Sequence, residues 1–298
     1  MRVLLLVNSS ASSVTPRGKV VIQKALSADH DVTLAETNRR NHASRLAQGA
    51  ARDGYDVVVA LGGDGTLNEA ANGLAGTSTA LAALPGGSTN VFARTIGLPN
   101  DPIEATGVLL DALAADKVEE VGLGNVNGRY FLFHVGIGFD AAVVEQVERR
   151  AQLKRWAGHP LFVYAAFTTW FRHYERDEPR FTVGGTPAYF SIVLNTNPYT
   201  YLGNRPLDLV PEATLDRGLA AITFKTLGFV PLVRAVGAAL AGSDIRRQRA
   251  LDVRTDLTSL VVESDRPFPY QVDGDYLGEI SRLEFQHAPA ALRLVLPG

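Results

Sequence analysis

The sequence predicts an α/β N-terminal domain with a parallel sheet, followed by a C-terminal domain that is mainly an antiparallel β-sandwich. From residue 1 to about 120, short apolar runs alternate with segments of helical periodicity, which is typical of a parallel sheet covered by helices. After Lys117 the chain becomes strand-rich, with frequent Gly, Pro and Asn. A chain of 298 residues can hold two cores, so we expect two domains, 1–121 and 122–288.

The elements of the first domain follow from its apolar periodicity. Strands are expected at 2–7, 31–35, 56–61 and 78–84, and helices near 17–27, 41–53, 66–75 and 101–115. In the second domain, strands are expected at 129–137, 180–184, 188–194, 218–224, 257–263, 268–272 and 281–287, with helices at 139–153 and 159–175. The last apolar run, 291–296, could complete either domain.

Composition narrows the function classes. The formal net charge of −2 gives no global attraction to nucleic acid. The absence of cysteine excludes disulfides, thiolate catalysis and Cys-ligated zinc. The N-terminal apolar run is too short for a signal peptide, and no stretch approaches the roughly 20 apolar residues of a membrane-spanning helix. We therefore expect a cytoplasmic protein whose membrane contact, if any, is peripheral.

A glycine turn follows the strand at 56–61. Its sequence, Gly-Gly-Asp-Gly-Thr at 62–66, lets backbone N–H groups approach a polyphosphate, and the next helix N-terminus adds partial positive charge. The spacing matches neither a Walker A loop nor a dinucleotide fingerprint. A tight turn without a ligand is the alternative, but an aspartate within such a turn favours function. Thr66 and Glu69 are also spaced as a capping box.

A second glycine turn, Pro-Gly-Gly-Ser-Thr-Asn at 85–90, follows the next strand. The carboxyl ends of parallel strands lie at the same edge of a sheet, so both turns could face one ligand. Ser88 and Asn90 could bind phosphate oxygens or a ribose, or they could simply cap the next helix. Asn8 and Thr37 follow the first two strands and lie at the corresponding edge. Loop residues of these types are common, so their function stays open here.

Two segments of the second domain carry chemistry. The sequence Asp-Gly-Asp at 273–275 lies between extended residues and predicts a hairpin turn, although its two carboxylates could also supply a base or a metal ligand. A basic cluster at 149–155 precedes an aromatic-rich stretch at 156–174. That combination suits a membrane interface, while aromatic core packing beside solvated arginines is the alternative.

Four motifs in this order, at 62–69, 85–94, 136–141 and 272–275, resemble diacylglycerol kinase and sphingosine kinase-like lipid kinases over nearly the whole chain. The first motif alone is shared with NAD kinases, and the segment 37–43 is similar to the sphingosine kinase branch. The resemblance implies that ATP lies in a cleft between the domains and that 289–298 returns to the first domain. It assigns ATP contacts to Asn8, Thr37, Gly62, Gly63, Asp64, Gly65, Thr66 and Ser88.

The same resemblance implies that Asp64 organises the phosphates or their Mg²⁺ and that Asp140 faces the acceptor headgroup. The chain departs from the family pattern at three positions. Asp275 stands where Glu is usual, Val91 where many bacterial members have Asp, and Arg217 where many have an Asp that holds a structural metal. Arg217 cannot ligate a cation, although its guanidinium could bridge the same carbonyls.

These observations predict an ATP- and Mg²⁺-dependent lipid kinase with Asp275 as general base and Asp64 as a further catalytic residue. Diacylglycerol is the first expected acceptor and a sphingoid base the second, with no nucleic-acid partner and transient contact with the inner membrane surface. A homodimer is left open. The alternatives are a catalytically impaired lipid-binding or regulatory module of the same fold and a kinase of a soluble nucleotide such as NAD.

Overall fold

The computed structural model describes residues 1–148 and 178–297, and side chains at 146–148 are not considered. The chain forms two compact units, one of Met1–Leu123 with Pro289–Gly298 and the other of Gly124–Ala288. The first unit is α/β with parallel strands, and the second is rich in antiparallel strands. The predicted fold class is therefore confirmed.

The first unit is built on a parallel sheet of the order β2-β1-β3-β4. The strands β1, β3 and β4 are apolar because helices cover them, and every residue of β3 and β4 is buried. The end of the last strand of the chain lies parallel to β4, with Leu294 opposite Leu81. The elements are β1 (Arg2–Val7), α1 (Pro16–Leu26), β2 (Asp31–Glu36), α2 (His42–Arg52), β3 (Val57–Gly62), α3 (Asp64–Leu74), β4 (Ala80–Pro85), α4 (Val91–Thr95) and α5 (Pro102–Ala114).

Two of these helices begin after a residue whose side chain caps the helix N-terminus. The Thr15 hydroxyl accepts a hydrogen bond from the Gly18 amide, and Pro16 opens α1. The Asp101 carboxylate accepts from the amides of Ile103 and Glu104 at the start of α5. Each cap satisfies N–H groups that the helix itself leaves without a partner, which stabilises the start by about 1 kcal/mol.

The second unit is organised around antiparallel strands in the order β14-β13-β10-β7-β15-β16. β5 and β16 each begin in one unit and end in the other. The elements are β5 (Val118–Val126), β6 (Arg129–Phe131), β7 (His134–Gly138), α6 (Phe139–Glu148), β8 (Phe181–Val183), β9 (Thr186–Ala188), β10 (Phe190–Leu194), β11 (Thr200–Leu202), β12 (Arg205–Leu207), β13 (Leu219–Phe224), α7 (Phe229–Leu240), a 3₁₀ turn (Ile245–Arg247), β14 (Leu251–Leu257), β15 (Ser259–Val272) and β16 (Asp275–Val295).

The central strands of this sheet are buried on both faces. Along β10, Ile192 and Leu194 pack into one hydrophobic cluster, which we call the helix-side cluster, while Val193 packs into a second cluster. Successive side chains of a strand point to opposite faces, so a strand covered on both sides must be apolar throughout. The helix-side cluster also contains Phe139, Phe190, Ile222, Phe224, Ala235 and Ala239.

The structure corrects several predicted elements. The strand expected at 129–137 is two strands, β6 and β7, and those expected at 257–263 and 268–272 form one strand, β15. Helix α7 is not predicted, because its apolar residues are not confined to the buried face. The helix expected at 159–175, the end of the one expected at 139–153 and the basic and aromatic segments lie outside the described residues. Within the described part of the chain, no helix is long and apolar enough to cross a membrane.

Candidate active site

The two glycine turns of the first unit lie side by side because β3 and β4 are paired. The Gly86 amide donates to the Gly62 carbonyl at 2.8 Å. A Cβ added to Gly87 would lie 2.8 Å from Gly63 Cα, and one added to Gly86 would lie 2.9 Å from Gly62 Cα. No side chain fits between the turns, so close approach of two backbone segments explains these glycines. The turns form one preformed surface.

Asp64 ties the two turns together. It lies in the first turn of α3, and its carboxylate accepts hydrogen bonds from the amides of Val91 and Phe92, each at 3.0 Å. Asp64 thus caps the short helix α4, which follows the second turn. The predicted role of Asp64 at the phosphates or at Mg²⁺ is a separate question, because this contact alone accounts for an aspartate at that position.

The chemistry of Asp64 can be compared with what Mg²⁺ requires. Magnesium at phosphotransfer sites is usually held by one or two carboxylates together with substrate phosphates. Asp64 supplies one such carboxylate, in the first turn of α3. Among residues 1–148 and 178–297, no group of three His, Asp or Glu side chains could hold a metal. The donor set fits a cation that also binds substrate phosphates.

Asn90 shapes the second turn from within. Its backbone is left-handed, with φ 51°, and the residue is buried. Its side-chain oxygen accepts from the Gly87 amide at 2.7 Å, while its Nδ2 donates to the Gly87 carbonyl and to Asn100 Oδ1. The Asn90 amide is therefore engaged inside the turn. Ser88, at the tip of the same turn, is exposed.

The other predicted residues of the first unit lie at the same edge of the sheet. Asn8 Nδ2 donates to Thr66 Oγ1 at 3.0 Å, which links the end of β1 to the first turn of α3. The Thr37 amide donates to the carbonyl of Val7 at the end of β1. Gly65 lies with Thr66 in the first turn of α3. The structure thus gathers the predicted positions of this unit at the carboxyl ends of four neighbouring strands.

The predicted capping box is wrong. Helix α3 begins at Asp64 with Gly63 as its N-cap, so Thr66 lies inside the helix. Glu69 instead accepts from the amides of Asn41 and Ala43, at 2.7 and 3.0 Å, at the start of α2. The Glu69 carboxylate caps a neighbouring helix, and not its own, because α2 and α3 pack together.

A cavity of about 350 Å³ lies beside this edge of the sheet. The Ser13 side chain, which lines it, donates to the Gly87 carbonyl, and Asn100 on its wall contacts Asn90. The cavity therefore adjoins the second glycine turn. Its wall is apolar in part and is formed by Ser13, Val14, Thr15, Gly18, Lys19, Ile22, Leu61, Asn100, Asp101, Pro102 and Ile103.

In the second unit, Asp140 is buried at the start of α6. Tyr199 donates its hydroxyl to one carboxylate oxygen, and Gln271 Nε2 donates to the other at 2.9 Å. A Cβ on Gly136 would overlap the Asp140 carboxylate, so glycine is required there. Burial raises the pKa of Asp140 above its ordinary value of 3.8, against the two hydrogen bonds. Burial and the adjacent carboxylate also raise the pKa of Tyr199 well above its ordinary value.

His134 completes this buried group, and sequence reasoning missed it. Its ring lies 4.5 Å from the Tyr199 ring between centroids, and its Nδ1 has no hydrogen-bond partner among the described residues. Burial lowers the pKa of His134 to about 3, so the imidazole is neutral at ordinary pH. We call these residues the buried polar group: the buried His134, Asp140 and Gln271 together with the half-buried Tyr199.

The predicted Asp-Gly turn at 273–274 is confirmed, and it separates the roles of its two carboxylates. Asp273 is buried, and its carboxylate accepts hydrogen bonds from the amides of Leu132, Phe133 and His134 at 2.7–3.0 Å. Asp275, at the start of β16, keeps about a third of its side chain exposed and lies 3.8 Å from the Arg129 guanidinium. Asp273 is held by backbone amides that the break between β6 and β7 makes available, and Asp275 is the accessible carboxylate.

The segment at 211–218, where Arg217 replaces an expected acid, is held by contacts within the protein. The Asp216 carboxylate accepts from the Thr214 hydroxyl at 2.6 Å, and Glu212 pairs with Arg246 at 2.9 Å. The first contact lowers the pKa of Asp216.

Comparisons with known proteins agree with this architecture. Residues 2–126 match the family model described as the diacylglycerol kinase catalytic domain. The chain is 30% identical to a "Probable lipid kinase YegS-like" of Pseudomonas aeruginosa over 99% of this chain and 93% of that protein. It is 27% identical to a diacylglycerol kinase of Bacillus subtilis, covering 93% of this chain and 89% of that one.

A solved structure extends the likeness to the whole fold. The crystal structure of a diacylglycerol kinase from Bacillus anthracis strain Sterne superposes with a TM-score of 0.72 at 22% identity, covering 99% of this chain and 96% of that chain. Membership of a kinase family implies that a protein uses ATP as its phosphate donor. The full-length match at 30% identity, together with the glycine turns and the two-unit fold, shows that this chain belongs to the diacylglycerol kinase-like family of lipid kinases.

Proposed function

We propose that this protein transfers the γ-phosphate of ATP to a lipid hydroxyl, with diacylglycerol as the first expected acceptor and a sphingoid base as the second. The observation that carries the proposal is the preformed pair of glycine turns tied together by Asp64. Backbone N–H groups at such turns, with the start of α3 beside them, suit a polyphosphate.

The nucleotide contacts come from residues at the same sheet edge. The proposed ligands of ATP are the turn at 62–66, Ser88 and the ends of β1 and β2 at Asn8 and Thr37. Asn90 acts on the nucleotide through the shape of the turn, since its amide is engaged by Gly87 and Asn100. The adjoining cavity of about 350 Å³, with its partly apolar wall, suits the planar base.

Asp64 is the proposed protein ligand of Mg²⁺, which it would share with the phosphates of ATP. When bound, the ion would offset the charge on the phosphates during transfer. The contacts of Asp64 with the amides of Val91 and Phe92 keep its carboxylate in a fixed position. A fixed carboxylate requires no reorganisation when the nucleotide arrives.

Asp275 is the proposed general base. Its carboxylate would take the acceptor hydroxyl proton as the hydroxyl oxygen bonds to the γ-phosphorus and the bond from that phosphorus to the bridging oxygen breaks, which releases ADP. Partial exposure supports the assignment, because a base must reach its substrate. Asp140, fixed by Tyr199 and Gln271, is the proposed contact for the acceptor headgroup.

The test is a radiolabel-transfer assay across a panel of lipid alcohols, with NAD included as a soluble acceptor. Asp275→Asn should lower turnover by about 10²-fold or more while ATP binding is retained. Asp275→Glu, which carries the family's usual residue and keeps a carboxylate at this position, should remain active. Asp265→Asn, at an exposed carboxylate of β15, is the matched control and should behave as wild type. Equal turnover of Asp275→Asn and wild type would remove Asp275 from the reaction, and transfer to NAD alone would contradict a lipid acceptor.

A second candidate is a lipid-binding or regulatory module that keeps the fold without turnover. The departures at Asp275, Val91 and Arg217 from the family pattern favour it. Lipid-stimulated ATP turnover distinguishes the two candidates, because a module that only binds lipid would take up lipid without consuming ATP.

A further inference from the structure

Helix α7 presents an apolar stripe to solvent. Its inner side, with Ala235 and Ala239, is buried in the helix-side cluster. Several apolar side chains on its outer side are 41–62% exposed. Positions 229, 233, 236 and 240 fall on one face of a helix, and 230 lies beside them. We call these residues the α7 stripe: Phe229, Val230, Val233, Val236 and Leu240.

The surroundings of the α7 stripe are basic. The helix contains one charged residue, Arg234, and the segment 225–249 carries five basic residues against one acidic residue, although the whole chain has a formal net charge of −2. Lys225, Arg234, Arg247 and Arg249 are exposed. Arg246 is paired with Glu212. The positive charge is therefore concentrated next to exposed apolar surface.

We propose that the α7 stripe docks on an anionic phospholipid surface. An interfacial helix combines an apolar face with basic residues, because the first enters the headgroup boundary and the second bind anionic headgroups. A helix of 12 residues is about 18 Å long and so would lie along the surface. Charge complementarity selects the bilayer as the occupant, since a second copy of this surface would bring its basic residues against one another.

The docking surface is joined to the proposed acceptor contact by continuous packing. Phe139, next to Asp140, lies in the same helix-side cluster as Ala235 and Ala239, and Tyr199 packs against that cluster. Membrane docking through α7 would therefore fix the position of Asp140 relative to the lipid. This inference rests on the proposed function, because a lipid acceptor is what gives the unit a reason to meet a bilayer.

The experiment measures co-sedimentation of the full chain with phosphatidylcholine vesicles, with and without phosphatidylglycerol. Wild type should bind the anionic vesicles. The variant Val230→Glu/Val233→Glu should bind them at least about tenfold more weakly. Arg247→Gln/Arg249→Gln should weaken binding by about fivefold for each charge and reduce its salt dependence. The matched control is Val20→Glu/Val21→Glu, two exposed valines on α1, which should bind as wild type.

The outcomes separate docking from catalysis. Turnover of a dispersed short-chain diacylglycerol should be the same in wild type and the valine variant, while turnover of vesicle lipid should fall in the variant alone. No transfer by wild type to any lipid would refute the proposed function, yet vesicle binding would still test docking. Equal sedimentation of wild type and the valine variant would overturn the proposal. A concentration-dependent dimer that the variant dissociates would overturn it as well, by assigning the α7 stripe to a second copy.

Discussion

The two candidate sites are built by different means. In the first unit, the glycine turns form a surface of backbone atoms, held by one carboxylate and one amide side chain. In the second unit, the buried polar group consists of side chains, and burial shifts the pKa values of three of them. The backbone site is fixed by the close approach of two turns, whereas the side-chain site depends on the protonation of its members.

The difference follows from the ligands that the two sites are proposed to bind. A polyphosphate is bound by many N–H groups whose positions are set by the backbone, so rigidity is the main requirement. A single hydroxyl needs a few polar groups held by hydrogen bonds in an apolar surrounding, which costs desolvation. Variants can test whether the first site requires rigid turns and whether the second requires buried, hydrogen-bonded side chains.

The largest combined effect on turnover and stability is expected at the glycine turns. Gly87→Ala would place a Cβ 2.8 Å from Gly63 Cα, and the backbone atoms there cannot move away as a flexible side chain could. The turns must separate, so nucleotide-dependent turnover should fall by about 10²-fold and thermal stability should drop. Gly107→Ala in α5 is the control, because nothing lies within 4 Å of its added Cβ and the helix should gain stability. Wild-type turnover in Gly87→Ala would show that the turns need not be held this closely.

The two aspartates of the hairpin allow the next contrast, between stability and activity. Asp273→Ala leaves three buried amides without an acceptor and should lower the free energy of unfolding by about 3 kcal/mol. Asp275→Asn, at a partly exposed side chain, should change it by less than about 0.5 kcal/mol while removing turnover. Denaturant unfolding of both variants measures the difference. If Asp275→Asn proved the more destabilising, the division of roles between these carboxylates would be wrong.

The same contrast explains how much the sequence could predict. The glycine turns are local segments between a strand and a helix, so their position and adjacency follow from periodicity and parallel pairing. The buried polar group combines His134 and Asp140, six residues apart, with Tyr199 and Gln271 from distant parts of the sequence, and no sequence motif connects these three regions. His134 lies in an apolar strand, where only tertiary packing reveals its neighbours. Helix α7 was missed for a related reason, since its exposed apolar face disguises the amphipathic pattern.

The pH dependence of stability should show the contribution of His134. The folded state keeps this residue neutral because its pKa is lowered from 6.5 to about 3, while the unfolded chain binds a proton below about 6.5. Unfolding therefore takes up a proton between these values, and stability falls as the pH falls through this window, by up to about 1.4 kcal/mol per pH unit. His134→Gln should flatten that slope when denaturant unfolding is measured across this window. An unchanged slope in His134→Gln would mean that the imidazole is charged in the folded protein.

The smallest effect is expected from removing one hydroxyl of the buried polar group. Tyr199→Phe deprives Asp140 of a donor that lowers its pKa, so this pKa should rise further above its ordinary value. The folded protein then keeps a proton that the unfolded chain has lost, and stability falls as the pH rises from about 3.8 through the folded pKa. The deficit of Tyr199→Phe, about 1 kcal/mol at neutral pH, should therefore shrink in acid. Tyr55→Phe removes an exposed hydroxyl bonded to Thr33 and should show no such trend. A deficit of Tyr199→Phe that is independent of pH would mean that the hydroxyl contributes packing and does not stabilise the ionised carboxylate.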